Sequence, residues 1–160
     1  MAKISTAVLV AALFLTSACS DEKSGENSEV VQVDAYLDQV KYLLQEVRSM
    51  EREIARAVPA DSVAIEVIAP LISERFRPKL QQLIAQADAL ETIPDLVASH
   101  QLLKDYLRLR MEAFELVLAG VRQQRPELFE QFGQRLAAAE ATGRSLEMAV
   151  ERVRQGMGQP

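Results

Sequence analysis

The chain has 160 residues, of which 49% are apolar and 26% are charged, and its formal net charge is −5. A chain of this length can bury a real core, because a domain of roughly 150 residues buries about 68–70% of the surface that it would expose unfolded. The single cysteine cannot form an internal disulfide, and the single histidine cannot supply a histidine-rich metal site. Since acidic residues outnumber basic ones and no strongly basic tract occurs, the composition argues against nucleic-acid binding.

The first 18 residues have the parts of an export signal. Lys3 gives a positive start, and an apolar run from Ile4 to Leu15 follows, interrupted only by two hydroxyl residues. The run is too short to cross the roughly 30 Å of a bilayer's hydrocarbon core as a permanent helix. We therefore predict that residues 1–18 are a signal peptide.

The sequence Leu15-Thr16-Ser17-Ala18-Cys19 resembles the lipobox of bacterial lipoproteins, although the family more often has an aliphatic residue at the position of Thr16. The resemblance implies that the signal is cut before Cys19, that Cys19 is diacylated and that the new N-terminus is acylated as well. Two or three acyl chains hold a protein stably on a bilayer. The alternatives are an ordinary secretory signal cut after Ala18, which would leave a free thiol, and a buried structural cysteine.

The same resemblance gives a location. The family's inner-membrane retention signal is Asp directly after the cysteine, and this chain has Ser20 there. In a bacterium with two membranes, the outer membrane, facing the periplasm, is therefore the expected site. The membrane is the expected partner through covalent lipid on Cys19, and no other cofactor is expected.

The mature chain divides by composition into two parts. Residues 20–29 contain no apolar side chain, so we predict that residues 19–29 are the lipidated cysteine followed by a flexible acidic tether. Residues 30–160 are rich in helix-forming residues with few breakers, and we assign them to one helical bundle domain.

Four long segments of that domain follow the 3-4 spacing of a helix that buries one face. They cover approximately residues 31–57, 62–91, 92–121 and 125–157. Thr92 is the expected cap of the third helix, and Gly156 and Gly158 are expected to end the fourth. Near-equal lengths and short connections favour an all-α, antiparallel up-down-up-down four-helix bundle.

The second segment is less regular than the others. From Val63 to Ile72 apolar residues surround the helix axis, and Pro70 and Pro78 predict a kink or a break. A break at Pro70 would allow a helical array or an open three-helix form. We interpret the run as buried, with an exposed patch that docks a partner helix or a lipid as the alternative. The candidate contacts of such a patch are Val63, Ile65, Ile68 and Ile72.

No motif of a catalytic, phosphate-binding, metal-binding or covalent haem site occurs in the chain, and we expect no enzymatic activity. His100 lies on the apolar stripe of the third helix, where a hydrogen-bonded core or boundary role is the simplest interpretation. The alternatives are proton sensing, binding of a metal ion, and ligation of a b-type haem opposite a methionine. The candidate methionines are Met50, Met111 and Met148.

Arg110 occupies the same stripe as His100. A buried guanidinium needs a partner, and Glu51 interrupts the row of Leu37 and Leu44 on the first helix at the next heptad step. We therefore predict a structural ion pair between Arg110 and Glu51. Contact of Arg110 with an anion or a substrate carboxylate is the alternative.

The stretch from Ile93 to about Met157 is similar to the C-terminal half of small all-helical bacterial lipoproteins of uncharacterised role. The resemblance lies in the Pro-opened helix, His100, the run Tyr106-Leu107-Arg108-Leu109-Arg110 and the triplet Glu112-Ala113-Phe114. It implies fold and location and brings no activity. The expected function is that of a non-enzymatic interaction or accessory subunit of an envelope assembly, with a ligand-binding bundle that takes haem or a small apolar molecule as the alternative.

Overall fold

A computed structural model describes residues 22–57 and 65–157 of the chain. Within these ranges all regular elements are helical. In chain order they are α1 (Glu22–Ala57), α2 (Ile65–Leu71), a π-helical turn (Ile72–Phe76), α3 (Arg77–Asp88), a 3-10 turn (Pro94–Leu96), α4 (Val97–Gln123) and α5 (Glu127–Met157). The helix runs without interruption through α2, the π turn and α3. The described chain therefore consists of four long helical segments.

Ion pairs show that neighbouring segments run in opposite directions. Glu46 and Glu53 of α1 pair with Lys79 and Arg75 respectively, so residue numbers rise along one helix as they fall along the other. The same reversal relates α3 to α4, where Arg77 pairs with Glu115 at 2.5 Å and Asp88 with Lys104 at 2.7 Å. The predicted fold class, an all-α antiparallel four-helix bundle, is confirmed.

The first helix begins earlier than the apolar stripe predicts. Because α1 starts at Glu22, residues 22–29 are helical, and the prediction of a flexible tether is wrong for them. The tether prediction rested on their lack of apolar side chains. A polar helix, however, needs no buried face where it extends a packed one. Residues 19–21 lie outside the described ranges.

The second segment absorbs its two prolines without breaking. Pro70 lies inside α2, Pro78 opens α3, and the turn between them is π-helical, with the Arg77 N–H donating to the Ile72 carbonyl. The Ser73 hydroxyl donates to the Pro70 carbonyl at 3.1 Å. A π turn takes up one additional residue in a helix. The expected irregularity is thus present as a π turn, and the open three-helix alternative is wrong.

Two predicted helix ends also differ. Thr92 does not cap the third helix, since Ile93 occupies the N-cap of the 3-10 turn that precedes α4. At the other end α5 continues through Gly156 to Met157, because a single glycine costs a helix only about 1 kcal/mol. Gly158 lies outside the described ranges.

The core is formed by the stripes of α1, the second segment and α4, with fewer residues from α5. Its most completely buried large side chains are Leu43, Ile72, Phe76, Leu80, Leu83, Leu96, Leu103, Leu107 and Leu146. The most extensive contact is between α4 and α5, where Gly120 and Gly143 let aromatic rings approach the backbone. A Cβ at Gly120 would lie 2.7 Å from the Phe129 ring, which explains why this buried position has no side chain. By contrast, α1 makes its closer contacts with α2 and α3.

A candidate binding groove on Arg110

An elongated groove of about 540 Å³ lies between α1, α4 and α5. Its walls are largely apolar and include Ile54, Tyr106, Phe114, Phe132 and Leu136. The groove exists because α1 packs against the second segment while α5 packs against α4, which leaves these two helices apart. Its volume is within the range of ligand-binding clefts, about 300–1,000 Å³.

Arg110 forms part of the floor of this groove. Its side chain is only 10% exposed, and its Nη2 pairs with the carboxylate of Glu51, as the sequence predicts. The guanidinium carbon lies 5.3 Å from the centroid of the Tyr106 ring, within the range of a cation–π contact. The Nε of Arg110 is buried and has no hydrogen-bond partner among the described residues. One donor of the buried cation is therefore unsatisfied.

The rim of the groove carries charges of both signs. Arg48 of α1 pairs with Glu147 of α5 across the opening, and Arg144 and Glu140 stand on the same face of α5. Since both partners of the Arg48–Glu147 pair are about half exposed, this pair contributes little to stability. Arg110 is thus the one buried charged side chain among those that line the groove.

Sequence reasoning found Arg110 and Glu51 but missed the aromatic side chains around them. Tyr106 lies one helical turn before Arg110 on α4, so the i, i+4 rule could have placed its ring beside the guanidinium. The 3-4 spacing of the fourth segment predicts that Phe132 and Leu136 are buried. In the structure both are only partly buried and line the groove.

His100 lies in a second polar cluster, some distance along the bundle from Arg110. Its ring centroid is 6.1 Å from that of Tyr36, and neither its Nδ1 nor the Tyr36 hydroxyl has a hydrogen-bond partner among the described residues. Burial raises the pKa of Tyr36 to about 12. A cleft of about 330 Å³ borders Tyr36, lined also by Gln32, Gln39 and the loop before the 3-10 turn.

The three candidate methionines do not meet His100. Met50 lies 14 positions beyond Tyr36 on α1, and Met111 lies 11 positions beyond His100 on α4, which correspond to about 21 and 16 Å of helix. Met148 is 60% exposed on α5. A haem held between His100 and one of these methionines is therefore not supported by the positions of the side chains.

The state of His100 should make stability depend on pH. Burial lowers its pKa below the ordinary value of 6.5, the Lys104 ammonium lowers it further, and Asp88 opposes these effects. Because the unfolded chain binds a proton at a higher pH than the folded chain, stability falls as the pH drops below about 6.5 and levels off below the folded pKa. Urea unfolding at pH 7.5 and 5.5 should show this loss, and His100→Gln should reduce it.

The apolar run of the second segment is mostly part of the core. Ile72 is 1% exposed, and Ile68 packs against the core while partly buried. Ile72 therefore cannot contact a partner in the folded protein, and the alternative of an exposed docking patch is wrong for this residue. Ile65 is partly buried, and among the described residues of the run the large exposed side chain is Val67, at 44%. Val63 lies outside the described ranges.

Comparisons with known proteins return no relative. No protein family matches the chain, and no curated protein or solved structure is significantly similar to it. Within the described ranges, no helix is long and apolar enough to cross a membrane, and no three His, Cys, Asp or Glu side chains form a group that could hold a metal ion. The groove must therefore be interpreted from its own chemistry.

Proposed function

We propose that the protein is a lipid-anchored helical bundle of the bacterial envelope and acts as a non-enzymatic interaction or accessory subunit of a membrane-associated assembly. The observation that carries the proposal is the lipobox-like sequence ending at Cys19, followed within three residues by the start of α1 at Glu22. With so short a connection, acyl chains on Cys19 would hold the bundle close to the membrane surface and limit its reach.

The lipid anchor is tested by replacing its attachment site. In cells fed with a labelled fatty acid, the unaltered chain should incorporate label and sediment with membranes, whereas Cys19→Ala should lose both the label and nearly all membrane association. Ser20→Asp is the matched variant, because it keeps the cysteine and should move the labelled protein to the inner membrane. Unchanged labelling or sedimentation of Cys19→Ala would refute the anchor.

The accessory role needs a separate measurement. Crosslinking in native membranes followed by mass spectrometry should recover the same envelope protein repeatedly with the unaltered chain. The Cys19→Ala variant should recover it at much lower yield, because the anchor concentrates the bundle at the membrane surface. If no partner is recovered reproducibly, the accessory role is contradicted. The result of the acylation test is not affected.

A ligand-binding function is the second candidate, and the groove on Arg110 favours it. An apolar cleft with a single buried, incompletely paired cation has the composition of a site that orients one ligand. This support lies at Arg110 and not at His100 or in the described part of the apolar run, residues 65–72.

A further inference from the structure

We propose that the groove between α1, α4 and α5 binds a fatty-acid carboxylate, with the carboxylate accepting from Arg110 Nε and the hydrocarbon chain lying along the apolar walls. The inference rests on the ligand-binding candidate above and does not depend on acylation of Cys19. Loss of membrane anchoring and loss of fatty-acid binding are therefore separate results.

The headgroup is assigned from the unsatisfied donor. Arg110 is nine-tenths buried and pairs through its Nη2 with Glu51. Its Nε has no partner among the described residues and is covered by neighbouring atoms, so a ligand in the groove reaches it when the side chain shifts. A guanidinium has five N–H donors, and a carboxylate accepts from it in a charge-assisted hydrogen bond. A neutral oxygen accepts more weakly, and a cationic headgroup is repelled.

The charge of the ligand is limited by the surrounding carboxylates. Glu51, Glu140 and Glu147 line the same groove as Arg48, Arg110 and Arg144, so its formal charges balance, and Glu51 already balances part of the charge of Arg110. A monoanion adds one negative charge beside Glu51, whereas a phosphate dianion would add more repulsion in a partly desolvated site. A carboxylate is thus favoured over a phosphate.

The chain is assigned from the shape and the walls of the groove. The lining extends along α5 from Phe132 to Glu147, about 22 Å at 1.5 Å per residue. Ile54 and Phe114 face this stretch from the other two helices. On α5 the apolar side chains of this stretch are Phe132 and Leu136, and Glu140, Arg144 and Glu147 line the rest, so a ligand with an apolar chain and one polar end matches the lining.

Photocrosslinking can test the proposal in a bilayer, where simple partitioning of the probe would obscure a binding isotherm. The full-length protein in nanodiscs is labelled with dodecanoate that carries a terminal diazirine, and crosslinks are mapped by mass spectrometry. We expect crosslinks on α5 around Phe132 and Leu136. Dodecanoate should compete at least tenfold better than dodecanol, because only the acid can form a charge-assisted hydrogen bond.

Four variants locate the site. Arg110→Met should reduce labelling of α5 about tenfold or more, and Glu51→Gln should increase it because a competing carboxylate is removed. Ala55→Trp, at an exposed position of α1 that lines the groove, should block labelling without altering Arg110. Arg77→Met is the matched control, since it breaks an Arg–Glu pair outside the groove and should leave labelling unchanged.

The proposal is overturned if dodecanol competes as well as dodecanoate, if crosslinks do not map to the groove, or if none form. It is also overturned if folded Arg110→Met is labelled like the unaltered protein. Circular dichroism establishes whether that variant is folded. If it is not, the result for Ala55→Trp decides: undiminished labelling refutes the site and lost labelling supports it.

Discussion

Replacing Glu51 by Leu is expected to destabilise the protein by about 3 kcal/mol, because it leaves the guanidinium of Arg110 buried without a counter-ion. Replacing Arg110 by Met should cost less, about 1–2 kcal/mol, through the lost cation–π contact and changed packing. The asymmetry follows from exposure: the Glu51 side chain is 37% exposed and can be rehydrated, whereas that of Arg110 is 10% exposed. Urea unfolding followed by circular dichroism measures both changes.

The double variant distinguishes an ion pair from two independent side chains. Arg110→Met combined with Glu51→Leu should lie within about 1 kcal/mol of the unaltered protein, since no charge is then left buried. The matched cycle on Arg77 and Glu115, whose side chains are 43% and 42% exposed, should give a coupling energy of only about 0.2–1 kcal/mol. Simple addition of the two single effects at Arg110 and Glu51 would show that they do not interact.

The Arg110–Glu51 pair could be predicted because both residues depart from an otherwise regular pattern. Leu37 and Leu44 lie seven residues apart on α1, and Glu51 takes the next heptad position. Arg110 takes an apolar position of α4 in the same way. In a bundle these positions point inward, so two opposite charges placed there need each other. The same spacing predicted the faces that α1 and α4 bury.

The groove could not be predicted from these patterns. Heptad spacing tells which face of a helix is turned inward, but it does not fix how far apart two helices stand. That distance depends on contacts such as those at Gly120 and Gly143, which draw α5 towards α4 and away from α1. Phe132 and Leu136 follow the apolar stripe of α5, and only the position of α1 leaves them partly uncovered.

The π turn could not be predicted from the spacing of the buried positions. Buried positions of the second segment fall at Ala69, Ile72, Phe76, Leu80 and Leu83, so the spacing contains two consecutive steps of four where a regular stripe alternates. At 100° per residue these positions stay on one face roughly 80° wide even in an uninterrupted α-helix, so their spacing carries no sign of the π turn. The sequence shows the turn only as an irregularity beside two prolines.

Phe76→Ala is expected to be the most destabilising single change considered, at about 3–5 kcal/mol. Phe76 ends the π turn, is 1% exposed and joins the core cluster that holds the second segment against the bundle. Because the ring is almost fully buried among core side chains, its removal leaves a cavity that the neighbouring helices can close only in part. Native proteins of this size are stable by only about 5–15 kcal/mol, and the variant should lose a large part of that.

Val67→Ala is the matched control for this prediction. Val67 lies in the same segment but is 44% exposed, so its truncation should change stability by less than about 1 kcal/mol. Both variants are compared by the urea concentration at the midpoint of unfolding and by the slope of the transition. If Phe76→Ala lowered the midpoint no more than Val67→Ala, the π turn would not be anchored by the core, and the second segment would have to be held by its ion pairs with α1. Those pairs are Glu53 with Arg75 and Glu46 with Lys79. Each of the four side chains is about one-third exposed or more, so the pairs are too weak to hold the segment in place.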